Sequence, residues 1–211
     1  MPKHLILVAG NIGSGKTSLT ERIGERLGWK TAYESVADNP YLADFYGDMK
    51  QWSFHLQVFF LGHRAEQHLD MCSSNRSAII DRSIYEDAYI FVRALRALGN
   101  ITERDYQTYW QIYNLVVKKL PPPSLLIYLK APVDVLMARI HSRGREMEST
   151  ISADYLKLLD SFYDDWMNNF DLCPALTLRT DDLDFVHKPQ HLDQVVERIQ
   201  NKLAGKEEIV F

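Results

Sequence analysis

Gly10-Asn11-Ile12-Gly13-Ser14-Gly15-Lys16-Thr17 follows directly on the apolar run Leu5 to Ala9 and leads directly into the helical stretch Ser18 to Leu27. These eight residues fit G-x-x-x-x-G-K-S/T, and phosphate binding requires that order between strand and helix. Glycines let the backbone wrap an anion, while its N–H groups and the positive end of the following helix dipole face the charge. Lys16 adds a point charge, and the Thr17 hydroxyl is placed to ligate Mg²⁺. Such a loop specifies a nucleoside triphosphate without specifying a reaction.

Working outward, three more apolar runs stand at Ala78 to Ile80, Leu125 to Leu129 and Leu176 to Leu178, with a weaker one at Lys30 to Tyr33. Continuous apolar runs separated by helix-like stretches indicate strands buried on both faces, which predicts an α/β fold around a five-stranded parallel sheet. The intervening helices are long. Ser53 to Met71 carries Phe54, Leu56, Phe59, Phe60, His63 and Gln67, and Tyr85 to Leu98 spaces Ala88, Phe91, Leu95 and Leu98 by three and four. A third helix, Glu103 to Lys119, ends at Pro121-Pro122-Pro123, and Pro132 is placed to open a fourth as its first residue. The triple proline is a helix-to-strand connector, because an apolar strand begins two residues later. No repeat or linker divides the chain, so 1–211 reads as a single P-loop domain ending in a loosely held tail, Gly205 to Phe211.

The 211 residues are 46% hydrophobic and 25% charged, which excludes disordered, collagenous and disulfide-framework classes. Lysine plus arginine number 24 against 28 acids, a formal net charge of -4. No global basic field exists to hold a nucleic acid or an anionic membrane, so an anionic ligand must be held by a local cluster. Cys72 and Cys173 have no C-x-x-C spacing and read as reduced thiols. Met1-Pro2-Lys3-His4 precedes only five apolar residues, too few for a signal peptide or a membrane span, and the cytoplasm is the expected compartment.

A switch GTPase also needs D-x-x-G after a strand and N-K-x-D for guanine. Asp44-Phe45-Tyr46-Gly47 matches the first without a buried strand before it, and Asn201-Lys202-Leu203-Ala204 lacks the aspartate. A compact P-loop phosphotransferase remains. Transfer to a hydroxyl requires groups that position the acceptor, handle its proton and spread positive charge around the moving phosphoryl, at strand carboxyl ends beside the loop. Glu34, after the weak strand, and Asp81-Arg82-Ser83, after Ala78 to Ile80, stand in such places. Arg139, Arg143 and Arg145 form a basic lid at about 139–150, with Arg139 and Arg143 on one helix face. Nine of the 24 aromatic residues fall between Trp29 and Phe60; most belong to the core, and some are placed to wall a pocket for a flat heteroaromatic acceptor. His187 and His191, split by Pro189, and the pair His63 and His68 lack metal-pair geometry.

Taken together, Gly10 to Thr17, Glu34-Ser35-Val36, Tyr46, Trp52-Ser53-Phe54 with Gln57 and Arg64, Asp81-Arg82-Ser83 through Asp87 and Phe91, and Arg139 to Arg145 ending in Glu148 resemble the deoxynucleoside kinases in order and spacing, most closely the bacterial deoxyadenosine and deoxyguanosine kinases. The resemblance runs from about residue 4 to 200. It implies transfer of the ATP γ-phosphoryl to the 5'-hydroxyl of a 2'-deoxyribonucleoside by a homodimer. By it, Gly10, Asn11, Ile12, Gly13, Ser14, Gly15, Lys16, Thr17 and Ser18 hold the triphosphate with Arg139, Arg143 and Arg145, while Asp184 and Phe185 lie over the adenine of ATP. Glu34 is the general base, Arg82 holds the 5'-hydroxyl and Glu34 together, and Asp81 acts with Thr17 on Mg²⁺ or is itself the base. Tyr46 and Glu148 bind the 3'-hydroxyl, Gln57, Arg64 and Asp87 read the base edge, and Phe91 stacks on it.

Two positions depart from the family pattern: Ser35 stands where many members have proline, and Asp81 where many have glutamate. The Asp87 carboxylate accepts from an exocyclic amine, which favours deoxyadenosine, then deoxycytidine, over thymidine, with deoxyguanosine still open through Arg64 or a rotated Asp87. A nucleoside monophosphate kinase and a non-catalytic nucleotide-binding module are the competing readings.

Overall fold

The computed structural model describes residues 3–33, 39–145, 148 and 151–205. Glu34 and Ser35, four residues of the expected lid and the tail beyond Gly205 lie outside them.

Five parallel strands, β1 (Leu5–Gly10), β2 (Lys30–Ala32), β3 (Ala78–Asp81), β4 (Leu125–Lys130) and β5 (Ala175–Arg179), form one sheet in the order β2-β3-β1-β4-β5. The apolar runs predicted as strands are strands, and β1 is buried at all six positions. Its residues alternate between two cores, Leu5, Leu7 and Ala9 on one face and Ile6 and Val8 on the other. This two-sided burial is the reason the run is continuous rather than alternating. Because β1 lies between β3 and β4, the loops after β1 and β3 emerge side by side at the carboxyl edge, where open α/β sheets bind ligands.

The helices are α1 (Lys16–Leu27), α2 (Leu42–Gly47), α3 (Met49–Ser73), α4 (Ile84–Glu86), α5 (Arg93–Ala97), α6 (Glu103–Val117), α7 (Val133–Arg143), α8 (Ala153–Asn168) and α9 (Pro189–Leu203). Three differences from the sequence expectation matter. The stretch expected as one regular helix from Tyr85 to Leu98 contains a π-helical segment, Asp87–Val92, between α4 and α5. Residues four apart drift less around a π-helical turn, and Asp87, Phe91 and Leu95 all reach the same cavity. Pro132 caps α7 from outside, with an extended backbone, instead of opening it. The formal D-x-x-G at Asp44 to Gly47 is α2, a helix lacking the strand that a GTPase switch requires.

His68 on α3 is buried, its Nε2 2.8 Å from Pro121 O, so the triple proline is fastened to the long helix. Burial pushes the His68 imidazole pKa down, more than its contact with Pro121 O raises it. A depressed histidine leaves the unfolded chain with more bound protons than the folded one as pH falls below about 6.5, so stability is lost in that direction. His68→Gln is therefore expected to flatten the fall of the thermal midpoint below that pH relative to wild type, as read by melting curves across pH. An identical pH slope in both proteins would show that His68 contributes nothing to it.

Cys72 and Cys173 are free thiols, and burial pushes the Cys173 thiol up to about 11. Among the described residues no helix is long and apolar enough to cross a membrane.

Candidate active site

The loop after β1 folds as its glycines require. A side chain at Gly10 would place Cβ 2.5 Å from Leu129 O, and one at Gly13, φ +83°, would meet Leu136 O at 2.9 Å. Lys16 lies inside the loop, donating to Gly10 O (2.6 Å) and Asn11 O (3.1 Å). Beside it, the Thr17 hydroxyl donates to Asp81 Oδ2 at 2.5 Å. A hydroxyl at the start of α1 and a carboxylate at the end of β3 form the oxygen donor pair with which P-loop enzymes hold Mg²⁺, and these residues fit that ion.

Three adjoining cavities surround this pair. The first, about 620 Å³, is bounded by Gly13, Ser14, Gly15 and Ser18, by Arg139 and Arg143, and by the stretch Asp181 to Lys188. Asp184 belongs to this wall, its carboxylate accepting from the His187 N–H and its own N–H donating to His191 Nδ1. The two histidines dismissed as a metal pair thus shape this loop. Phe185 lines this cavity too, with its ring 5% exposed and packed against Gly15 beneath the phosphate loop. Arg139 donates to Thr180 Oγ1 and Thr180 O, which holds its guanidinium at the carboxyl end of β5.

A second cavity, about 260 Å³, is lined by Phe45, Tyr46, Phe60, Gln57, Asp87 and Phe91 among others. Three of the expected aromatic residues wall it, while Tyr41, Trp52 and Phe59 pack on one another. Gln57 is 5% exposed, and its Oε1 has no hydrogen-bond partner among the described residues. A buried amide oxygen is costly to leave unmade, so it points to a ligand donor. Arg64 does not line the cavity. It lies behind Asp87, donating through Nε to Asp87 Oδ2 at 2.8 Å, with side chains 2% and 4% exposed. Its guanidinium thus backs the carboxylate that faces the cavity. Arg82 stands 4.3 Å over the Phe91 ring, a cation–π contact, and is the one described non-glycine residue with positive φ, +69°. A residue held in that region costs on the order of 1–3 kcal/mol, typical of functional turns.

The third cavity, about 180 Å³, joins the other two and gathers Lys16, Thr17, Asp81, Arg82, Arg143 and Arg145. Glu148 lies in it too, gripped by Arg143 through both carboxylate oxygens and 3.7 Å from Arg145. Two expected phosphate ligands are therefore joined to the acid expected at the 3'-hydroxyl.

A family model described as deoxynucleoside kinase matches residues 6–204. The chain belongs to the deoxynucleoside kinase family. Its relatives include a deoxyadenosine/deoxycytidine kinase of Bacillus subtilis, 38% identical over 94% of this chain and 93% of that protein. A deoxyguanosine kinase of Lactobacillus acidophilus is 35% identical over 94% of this chain and 90% of its own length. Among solved structures, a deoxyadenosine kinase from M. mycoides with dCMP and dCDP bound superimposes with a TM-score of 0.80 at 30% identity, covering 95% of this chain and 99% of that one.

Several contacts that build this deoxynucleoside kinase site escaped the sequence reading. Asn11 donates to Asp160 (2.6 Å) and to Leu156 O (2.9 Å), both on α8. Glu86, fully buried, accepts from the Gly10 N–H at 3.0 Å and contacts the Tyr163 hydroxyl. Burial pushes the Glu86 carboxyl pKa up, against the pull of Lys16 and Arg82. The only trace of this in sequence is the spacing of Leu156, Asp160 and Tyr163, at four and three residues, which puts them on one helix face.

Proposed function

We propose that this chain transfers the γ-phosphoryl group of ATP to the 5'-hydroxyl of a 2'-deoxyribonucleoside, preferring deoxyadenosine and then deoxycytidine. The observation that carries this reading is the continuity of the cavities: a phosphate-loop cavity and an aromatic cavity meet at a small chamber holding Lys16, Thr17, Asp81 and Arg82. ATP lies along the first, with its triphosphate on the loop, and the deoxynucleoside fills the second, with its sugar toward the chamber.

Glu34 takes the proton of the 5'-hydroxyl as the oxygen attacks the γ-phosphorus, the bond to the β-phosphate oxygen breaks, and ADP leaves. Arg82 orients the hydroxyl, while Lys16, Arg143 and Arg145 face the charge that spreads over the transferring group. Thr17 and Asp81 hold Mg²⁺, which neutralises phosphate charge when bound. Arg139 reaches the triphosphate by leaving Thr180. Glu148 and Tyr46 bind the 3'-hydroxyl, so sugar binding competes with the Arg143 and Arg145 grip on Glu148 and frees cations for the phosphates.

At the base end, Asp87 accepts from an exocyclic amine, N6 of adenine or N4 of cytosine, and Gln57 Oε1 takes a second donor. The Bacillus relative that is named for both nucleosides supports this pair. Homodimerisation belongs to the same proposal, supported by exposed Leu69 on α3 and Leu115 on α6, helices that pack together, and sedimentation mass reads it.

The test is incubation of purified protein with ATP, Mg²⁺ and each of the four deoxynucleosides. Deoxyadenosine is expected to turn over fastest and thymidine slowest. Absence of any 5'-monophosphate would overturn the reading, and faster turnover on deoxynucleoside monophosphates would assign the chain to monophosphate kinase chemistry.

A further inference from the structure

Gly10 is the residue at which β1 becomes the phosphate loop, and both of its backbone groups are held by side chains remote in sequence. Its N–H donates to Glu86 Oε1 at 3.0 Å, and its carbonyl accepts from the Tyr163 hydroxyl at 2.8 Å as well as from Lys16 Nζ at 2.6 Å. Glu86 and Tyr163 also touch each other, closing a ring of contacts around one glycine. Both side chains are buried, at 0% exposure. Neither lines any of the three cavities, so neither touches a ligand directly.

The Tyr163 hydroxyl has one proton and two oxygen neighbours, Gly10 O and Glu86 Oε1. That proton is shared between them, so the Gly10 N–H and the Tyr163 hydroxyl both have oxygen acceptors inside the buried cluster. The π-helical segment begins immediately after Glu86, so Glu86 faces the phosphate loop while Asp87 faces the aromatic cavity.

We propose that Glu86 is a positioning residue for the ATP site: with Tyr163 it clamps the Gly10 peptide and so sets the path of the loop that cradles the triphosphate. This rests on the reading that the loop holds ATP. It predicts a selective defect, because the loop that starts at Gly10 supplies Gly13, Ser14 and Gly15 to the donor cavity and only Ile12 to the aromatic one. Loss of one buried hydrogen bond corresponds to about a tenfold change in an equilibrium constant.

Dissociation constants for ATP and for deoxyadenosine, each measured alone by calorimetry, test the proposal in wild type, Glu86→Ala and Glu86→Gln, at a temperature where melting curves show every variant folded. Glu86→Ala is expected to weaken ATP about tenfold while deoxyadenosine stays within about twofold. Glu86→Gln keeps an acceptor for the Gly10 N–H and is expected to recover most of the ATP affinity. An ATP constant for Glu86→Ala within twofold of wild type, an equal loss for both ligands, or a glutamine variant no better than alanine would each overturn the clamp. If Glu86→Ala does not fold, Tyr163→Phe, which retains the ring and removes the hydroxyl, is judged by the same two constants and the same limits. A wild-type protein that binds no ATP would fail the functional reading itself, before any variant is compared.

Discussion

Glu34→Ala is expected to lower kcat by roughly 10²- to 10⁴-fold, the range over which a positioned general base contributes, while ATP binding is nearly unchanged. The separation of the two effects follows from topology. Glu34 comes two residues after the end of β2 in the sequence, and β2 pairs in register with β3, Ala32 beside Ile80. The phosphate loop hangs from β1 instead, on the other side of β3. The acidic limb of kcat against pH reports deprotonation of the base in the ternary complex, and it is expected to flatten in the variant. Asp81 is the alternative base, and the two assignments diverge sharply. Full turnover by Glu34→Ala would move the role to Asp81, whereas an Asp81→Asn variant that is rescued by raised Mg²⁺ would leave it with Glu34.

Asp87→Ala is expected to lower unfolding free energy by about 1–3 kcal/mol, because it removes the buried carboxylate that accepts a charge-assisted hydrogen bond from Arg64 Nε. On deoxyadenosine, kcat/KM is expected to fall by about 10- to 100-fold as well, the cost of leaving one buried donor of the ligand without its acceptor. A double variant separates the two effects. Arg64→Leu combined with Asp87→Leu removes both charges, and replacing a buried ion pair with apolar groups of comparable volume is often neutral or stabilising. It is expected to recover most of the stability in denaturant titrations and none of the deoxyadenosine activity. Recovery of activity with stability would mean that Asp87 serves the fold and not the base.

The parts of this protein that were legible in its sequence are those whose chemistry is local. A phosphate loop needs its glycines, lysine and threonine within eight consecutive residues, since one turn of backbone and one helix start make the cradle. Strands buried on both faces announce themselves as unbroken apolar runs, as β1, β3 and β4 do, while β2 and β5 are less buried and were marked by weaker runs. Residues whose role depends on direction rather than position were harder. Arg64 was expected to face the base, but a guanidinium buried beside a carboxylate is more stable paired with it, and it supports Asp87 from behind. Phe185 was expected beside ATP, and no spacing showed that its ring, while lining that cavity, also fills the space left by the missing side chain of Gly15.

The π-helical turn at Asp87 to Val92 left no signal of its own, because Ala88, Phe91, Leu95 and Leu98 keep the three- and four-residue spacing of a regular helix. The clamp on Gly10 left no more than the helical spacing of Tyr163 with Leu156 and Asp160. Its members stand at positions 10, 86 and 163, on a strand end, a helix start and the helix that follows the lid. No spacing rule connects them. Glu86 read alone is an acid on a helix, and Tyr163 an aromatic on an apolar face. What they do is decided when β1 is buried between β3 and β4, and the helical segments packed over it shut water away from the Gly10 peptide. Consecutive residues were enough to say that this chain holds a triphosphate; only the packing of distant ones decides how rigidly it does so, because a buried peptide group must find its partners wherever the fold puts them.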